Sequence, residues 1–143
     1  MHAILITMST KRLAQIQEDP DTLADVVEAR HETPIPGLLD LGTAWSQLDA
    51  LLSDAGKDPV LSDVVLARSG EPFESEFKSA RLLAPARVAE IAKKLEAMKA
   101  ATVLGRHAGD AEEREALGVL LKQLVSLYSA AAKAKHSLLA LLV

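Results

Sequence analysis

The chain ends on a run that constrains its fold more than any other stretch. HSLLALLV, residues 136–143, closes with six consecutive apolar residues. Such a run suits neither a surface strand nor an amphipathic helix, because both need a polar face. It can extend the helix before it, or it can be a strand buried on both sides. The strand is favoured, and its natural partner is the other short apolar run, AILIT at residues 3–7. The two ends of the chain would then pair at the heart of one sheet.

Between these ends the periodicity is helical. Ser9 is placed to cap a helix through about Gln17, and Asp21 a second over TLADVVEARHE. TPIPG forms a rigid connector, since residues preceding proline are pushed out of the helical region. Asp40 is then expected to cap a third helix. Its apolar face is Leu41, Ala44, Trp45, Leu48, Leu51 and Leu52, with Asp49 on the flank. SDAGKDP, residues 53–59, should break it. VLSDVVLA reads as a short helix or helical turn, and residues 68–79 as a polar loop. SARLLAP leads by a short strand into a helix with Pro85 at its first position. Asp110 is placed to cap the longest helix, with Glu112 and Glu113 in its first turn and Lys133 and Lys135 at its end, as the helix dipole prefers. The expected fold is a predominantly helical α+β domain over residues 1–143, with a small sheet that includes both terminal strands.

Composition excludes several functions. There is no cysteine, which removes disulfides, thiolate metal sites and cysteine nucleophiles. The formal net charge is -4 and no basic patch is visible, which argues against nucleic acid. The opening MHAILITMST lacks signal-peptide features, and no stretch nears the ~20 apolar residues of a spanning helix. A cytoplasmic protein without membrane contact is expected. Any part of the Leu-rich tail left exposed would make a homodimer interface.

No motif declares a reaction. Glu28 and His31 have the spacing used in carboxylate-bridged metal bundles, but the motif occurs once, at a helix end, so no metal is expected. His2, His31, His107 and His136 are scattered, and His107, in a Gly-flanked turn, should be exposed. The glycines are dispersed and form no phosphate loop. No cofactor is expected.

Two candidate surfaces remain. Trp45, the only tryptophan, is chiefly a core anchor for the third helix. With Arg81 and the carboxylates of Asp40 and Asp49 it could also wall a ligand pocket. Arg81 lies in an apolar segment and needs a partner, for which Asp40 and Asp49 are the candidates. The second surface is the acidic loop with Glu71, Glu74 and Glu76, flanked by Asp58 and Asp63, as a contact for a protein partner.

Three segments carry a resemblance. LDLGTAWSQLDALLSD, DPVLSDVVL and SARLLAPARVAEIAKKLEAM, within residues 38–99, resemble in order the segments of the YfbM-like family of uncharacterised bacterial proteins. The resemblance places Asp40, Trp45, Leu48, Ser62, Arg81 and Pro85 at the family's recurring positions. It departs at Ser46 and Asp49, where the family often has histidines, and at Ala84, where it usually has Thr. What it implies is an α+β fold and no activity. A non-enzymatic protein-binding module is therefore the leading expectation, and a small enzyme or ligand binder around Trp45 the alternative.

Overall fold

The computed structural model describes residues 1–54 and 57–143. The chain folds as an α+β protein around a five-stranded antiparallel sheet. Strand β1 (Ala3–Met8) is followed by helices α1 (Thr10–Glu18) and α2 (Asp21–Ala29), then β2 (Leu38–Asp40) and α3 (Trp45–Ser53). A turn at Leu61–Asp63 precedes β3 (Glu71–Pro72) and β4 (Arg81–Leu83). Helices α4 (Pro85–Ala97), α5 (Ala100–Leu104) and α6 (Ala111–Ala134) then lead to β5 (Ser137–Leu142). The strand order is β2-β1-β5-β4-β3.

The terminal runs do pair. Six residue pairs join β1 and β5, from Ala3 opposite Leu142 to Met8 opposite Ser137. Backbone bonds between His2 and Val143 extend the ladder beyond them. Antiparallel sheets commonly keep one wet face and alternate polar with apolar residues. This sheet is covered on both faces, so its central strands do not alternate. Ala3, Leu5, Leu138, Ala140 and Leu83 face the main core with residues of α3, α4 and α6. Ile4, Ile6, Met8, Leu139 and Leu141 face a second core completed by Ile16 of α1 and Leu23, Val26 and Val27 of α2. Residues 138–141 are at most 2% exposed. Those four residues of the tail lie within the chain's own two cores, while Leu142 and Val143 are half-buried.

The local caps largely follow the sequence. The Ser9 hydroxyl accepts from the Arg12 amide, the Asp110 carboxylate accepts from the Glu113 amide, and Pro85 opens α4. Two expectations fail. Pro20, not Asp21, holds the capping position of α2, and Asp21 is its first residue. Asp40 caps no helix. It ends β2, and α3 begins at Trp45 after a short 3-10 turn at Gly42–Ala44. The polar loop at 68–79 contains β3, which pairs with β4 at Glu71–Leu82 and Pro72–Arg81. The helix breaker expected at residues 53–59 lies partly outside the described residues.

Candidate functional site

The densest polar arrangement is built on Asp63. The turn that carries it is itself capped by Asp58, whose carboxylate accepts from the amides of Val60 at 3.0 Å and Leu61 at 3.1 Å. Asp58 also meets the Lys94 ammonium at 3.2 Å. Asp63 is 1% exposed. A bare carboxylate there would be very costly. It is satisfied by the Ser69 amide at 2.7 Å, the Ser69 hydroxyl, and the Arg87 Nε at 2.8 Å. Burial raises the pKa of Asp63. The two Ser69 donors and the Arg87 guanidinium outweigh burial and hold it below the ordinary value.

Arg87 spreads its guanidinium over three acceptors. Besides Asp63 it donates to Glu90 at 3.2 Å and to the Pro59 carbonyl at 3.1 Å. One residue thereby ties α4 to the turn after α3. Beneath the turn, the Tyr128 hydroxyl of α6 donates to the Val64 carbonyl at 2.6 Å. Burial, and then the charge on Asp63, push that phenol well above its ordinary value, so it stays a donor.

The segment between Asp63 and Ser69 needs an unusual backbone. Ala67 is fully buried and takes a φ of +51°, a region that disfavours residues with a Cβ. Gly70 then passes close to β4. A Cβ at Gly70 would lie 2.7 Å from the Leu82 carbonyl oxygen and 2.9 Å from that of Ala67. Only glycine fits so near two backbone oxygens.

This loop borders a cleft of about 680 Å³ at the end of the sheet. Residues 82–85, running from β4 into α4, line it together with Leu13 of α1, residues 69–71, Arg87 and Ser137. The volume falls within the usual range for small-ligand sites. Asp63 is the carboxylate bonded to the Ser69 hydroxyl, and its lowered pKa makes it a weak base for activating that hydroxyl.

The residues expected from the sequence fall into separate places. Asp40 is half-buried and accepts from Arg30 at 3.1 Å, from the Gly42 amide at 2.8 Å, and bonds His2 at 3.1 Å. Burial raises its pKa, while the Gly42 amide, Arg30 and His2 bring it below the ordinary value. Trp45 is half-buried against the main core, with its indole N–H donating to the Met1 carbonyl at 3.1 Å. Asp49 is buried and holds Arg68 in a two-pronged bond, 2.7 and 2.5 Å. The carboxylate partner expected for Arg81 is replaced by a backbone carbonyl, that of Gly70, at 3.0 Å. Asp40 lies on an edge strand, separated from β4 by β1 and β5, and Asp49 is already held by Arg68. Glu71, Glu74 and Glu76 are exposed. Glu28 and His31 are exposed too, and His31 lies beyond the end of α2. His107, expected in the open, has a side chain only 13% exposed and bonds Glu113 at 2.9 Å.

Sequence reasoning named Asp63 only as one flanking acid and missed Arg68, Ser69, Arg87 and Ser137. A signal existed for Arg87. A cation in the first turn of a helix opposes the dipole and calls for a carboxylate to hold it.

No curated protein matches the chain. Among solved structures, it is similar to the crystal structure of YfbM from Escherichia coli, a protein of unknown function. Identity is 17%, both chains are covered completely, and the TM-score is 0.70. That likeness is one of fold. The family model described as a domain of unknown function, DUF1877, matches residues 1–141. With nearly its whole length matched by that model, and a fold shared with YfbM, the chain belongs to the DUF1877 family.

Proposed function

We propose that this chain is a non-enzymatic binding module that meets a protein partner through the β3–β4 hairpin. One observation carries the reading. Asp40, Asp49, Asp58 and Asp63 are each bonded to a cation of the same chain. Glu71, Glu74 and Glu76 are exposed and form no ion pair among the described residues. Their charges are available to a partner, and the hairpin's cations are Lys78 and Arg81, the latter donating to the Gly70 carbonyl. Charge complementarity of this kind sets specificity and the rate of encounter.

A ligand pocket around Trp45, Asp40, Asp49 and Arg81 is the weaker reading, because their polar atoms already have protein partners. A cytoplasmic setting accords with a chain free of cysteine. Among the described residues no helix is long and apolar enough to cross a membrane.

The test is capture from an extract of the native cell, read by mass spectrometry, beside a variant carrying Glu71→Lys, Glu74→Lys and Glu76→Lys. A partner held by the parent protein and lost by the variant is the expected result. Equal capture by both, or none by either, rejects the hairpin as the binding surface.

A further inference from the structure

We propose that a second pocket, between the turn after α3 and helices α4 and α5, binds a small molecule that carries a phosphate group on an apolar body; the hairpin reading above has no part in it. The chain is acidic overall, yet this pocket is lined by three cations, Lys94, Lys99 and Arg106, and one carboxylate, Asp58. The local sequence brings the cations together. Helix α4 ends at Ala97, the backbone is extended at Met98, and α5 starts at Ala100. Lys99, Thr102 and Arg106 then follow at spacings of three and four, which places them on one side of that helical turn. Lys94 reaches the same pocket from the last turn of α4.

Each cation keeps donors for an outside acceptor. Lys94 is held by Asp58 at 3.2 Å, and its ammonium has two further hydrogens. Arg106 Nη1 donates to the Leu51 carbonyl at 3.4 Å and lies 3.7 Å from the Asp54 carboxylate. These contacts fix the guanidinium in place, and its Nε and Nη2 have no partner among the described residues. Lys99 forms no ion pair among those residues, and the Thr102 hydroxyl beside it forms no hydrogen bond there. With Asp54 counted beside Asp58, two carboxylates meet three cations, so one positive charge is left uncompensated. An anion is drawn to such a pocket and a cation is repelled. The cleft beside the hairpin differs, since there Glu71 balances Arg87. Two lysines act as point charges, and with one arginine and a hydroxyl they suit the several oxygens of phosphate better than the flat fork of a carboxylate. The remaining wall is apolar where Leu61, Met98 and Val103 line it. The pocket holds about 400 Å³, within the usual range for small ligands and enough for a phosphate together with the body that carries it.

The probes are phenyl phosphate, inorganic phosphate and phenol, titrated into the whole chain by calorimetry at fixed ionic strength. Phenyl phosphate should bind about tenfold more tightly than inorganic phosphate, the gain from burying its ring, and phenol should bind weakest. Lys99→Gln with Arg106→Gln should weaken phenyl phosphate about tenfold, the worth of two partly exposed charge contacts. Both side chains are exposed, so the fold should survive, and thermal melts check this. Lys11→Gln with Arg12→Gln removes the same charge from α1, on the other face of the sheet, and should change nothing. Equal losses in the two double variants would show attraction to overall charge and overturn the pocket. Phenol binding as tightly as phenyl phosphate overturns the anion. Inorganic phosphate matching phenyl phosphate overturns the apolar wall, and with it the proposed ligand. Failure of phenyl phosphate to bind overturns the proposal outright. None of these results touches the hairpin reading, which extract capture decides.

Discussion

Two acidic regions lie a few residues apart and have opposite roles. Asp63 is sealed, bonded by Ser69 and Arg87, and holds the turn after α3 to α4. Glu71, Glu74 and Glu76 begin eight residues later, exposed and free of ion pairs among the described residues. The difference is one of solvation. A buried carboxylate must be matched by donors at once, and removing either side leaves an uncompensated charge. An exposed one is hydrated and contributes little to folding. Acids in the same stretch of sequence can therefore divide into frame and surface, and only burial tells them apart.

That division can be broken first at Asp63. Asp63→Ala should cost about 3 kcal/mol or more, because Arg87 and the Ser69 amide lose a shared acceptor. Urea unfolding measures it, and a loss well below that would mean the site repacks. Next comes Gly70→Ala, which should cost about 2 kcal/mol by forcing β3 away from two carbonyl oxygens. Thermal unfolding reads this, and an unchanged midpoint would show the hairpin adjusts freely. Tyr128→Phe follows at about 1 kcal/mol, the worth of one buried bond plus the stranded Val64 carbonyl.

Acid sharpens the same contrast. Asp40, Asp58 and Asp63 have folded pKa values below their ordinary 3.8, so the unfolded chain binds protons more readily. Their stabilisation is complete above the ordinary value and is lost as pH falls through the folded one. Denaturant midpoints should be flat from neutral pH down to about 5 and drop below that. In Asp63→Ala the drop should be shallower; an identical slope would remove Asp63 from the acid response. The smallest effect is expected from reversing Glu71, Glu74 and Glu76 to Lys. The unfolding midpoint should not move beyond error, and a clear loss would mean these acids belong to the frame.

Much of the fold was legible because its signals are short-range. Ser9 and Asp110 announce caps through spacing of three residues, and Pro85 announces a first turn. The end of α6 was less so. The chain leaves the helix at Lys135, which takes a φ of +57°, while the His136 amide bonds the Ala131 carbonyl. Glycine usually marks such a stop. With Lys in its place, helix remained an alternative to the favoured strand, and the pairing of β5 with β1 shows the strand. The candidate site was harder still. Asp49 meets Arg68 across 19 residues and Asp63 meets Arg87 across 24. Nothing local distinguishes these pairings from Arg81 with Asp40 or Asp49, which the sheet order and the claim of Arg68 on Asp49 preclude.

The sequence by itself determined the apolar ends, the helical middle, the absence of cysteine chemistry and the acidity of residues 71–76. These follow from residue type and near-neighbour spacing, which act without a fold. Tertiary structure alone decided that Asp63 is sealed, that Trp45 turns its indole to Met1, and that Arg81 bonds the Gly70 carbonyl in place of a carboxylate. Each depends on which distant segment arrives beside it, and burial then fixes whether a polar group must be paired or can be left for a partner.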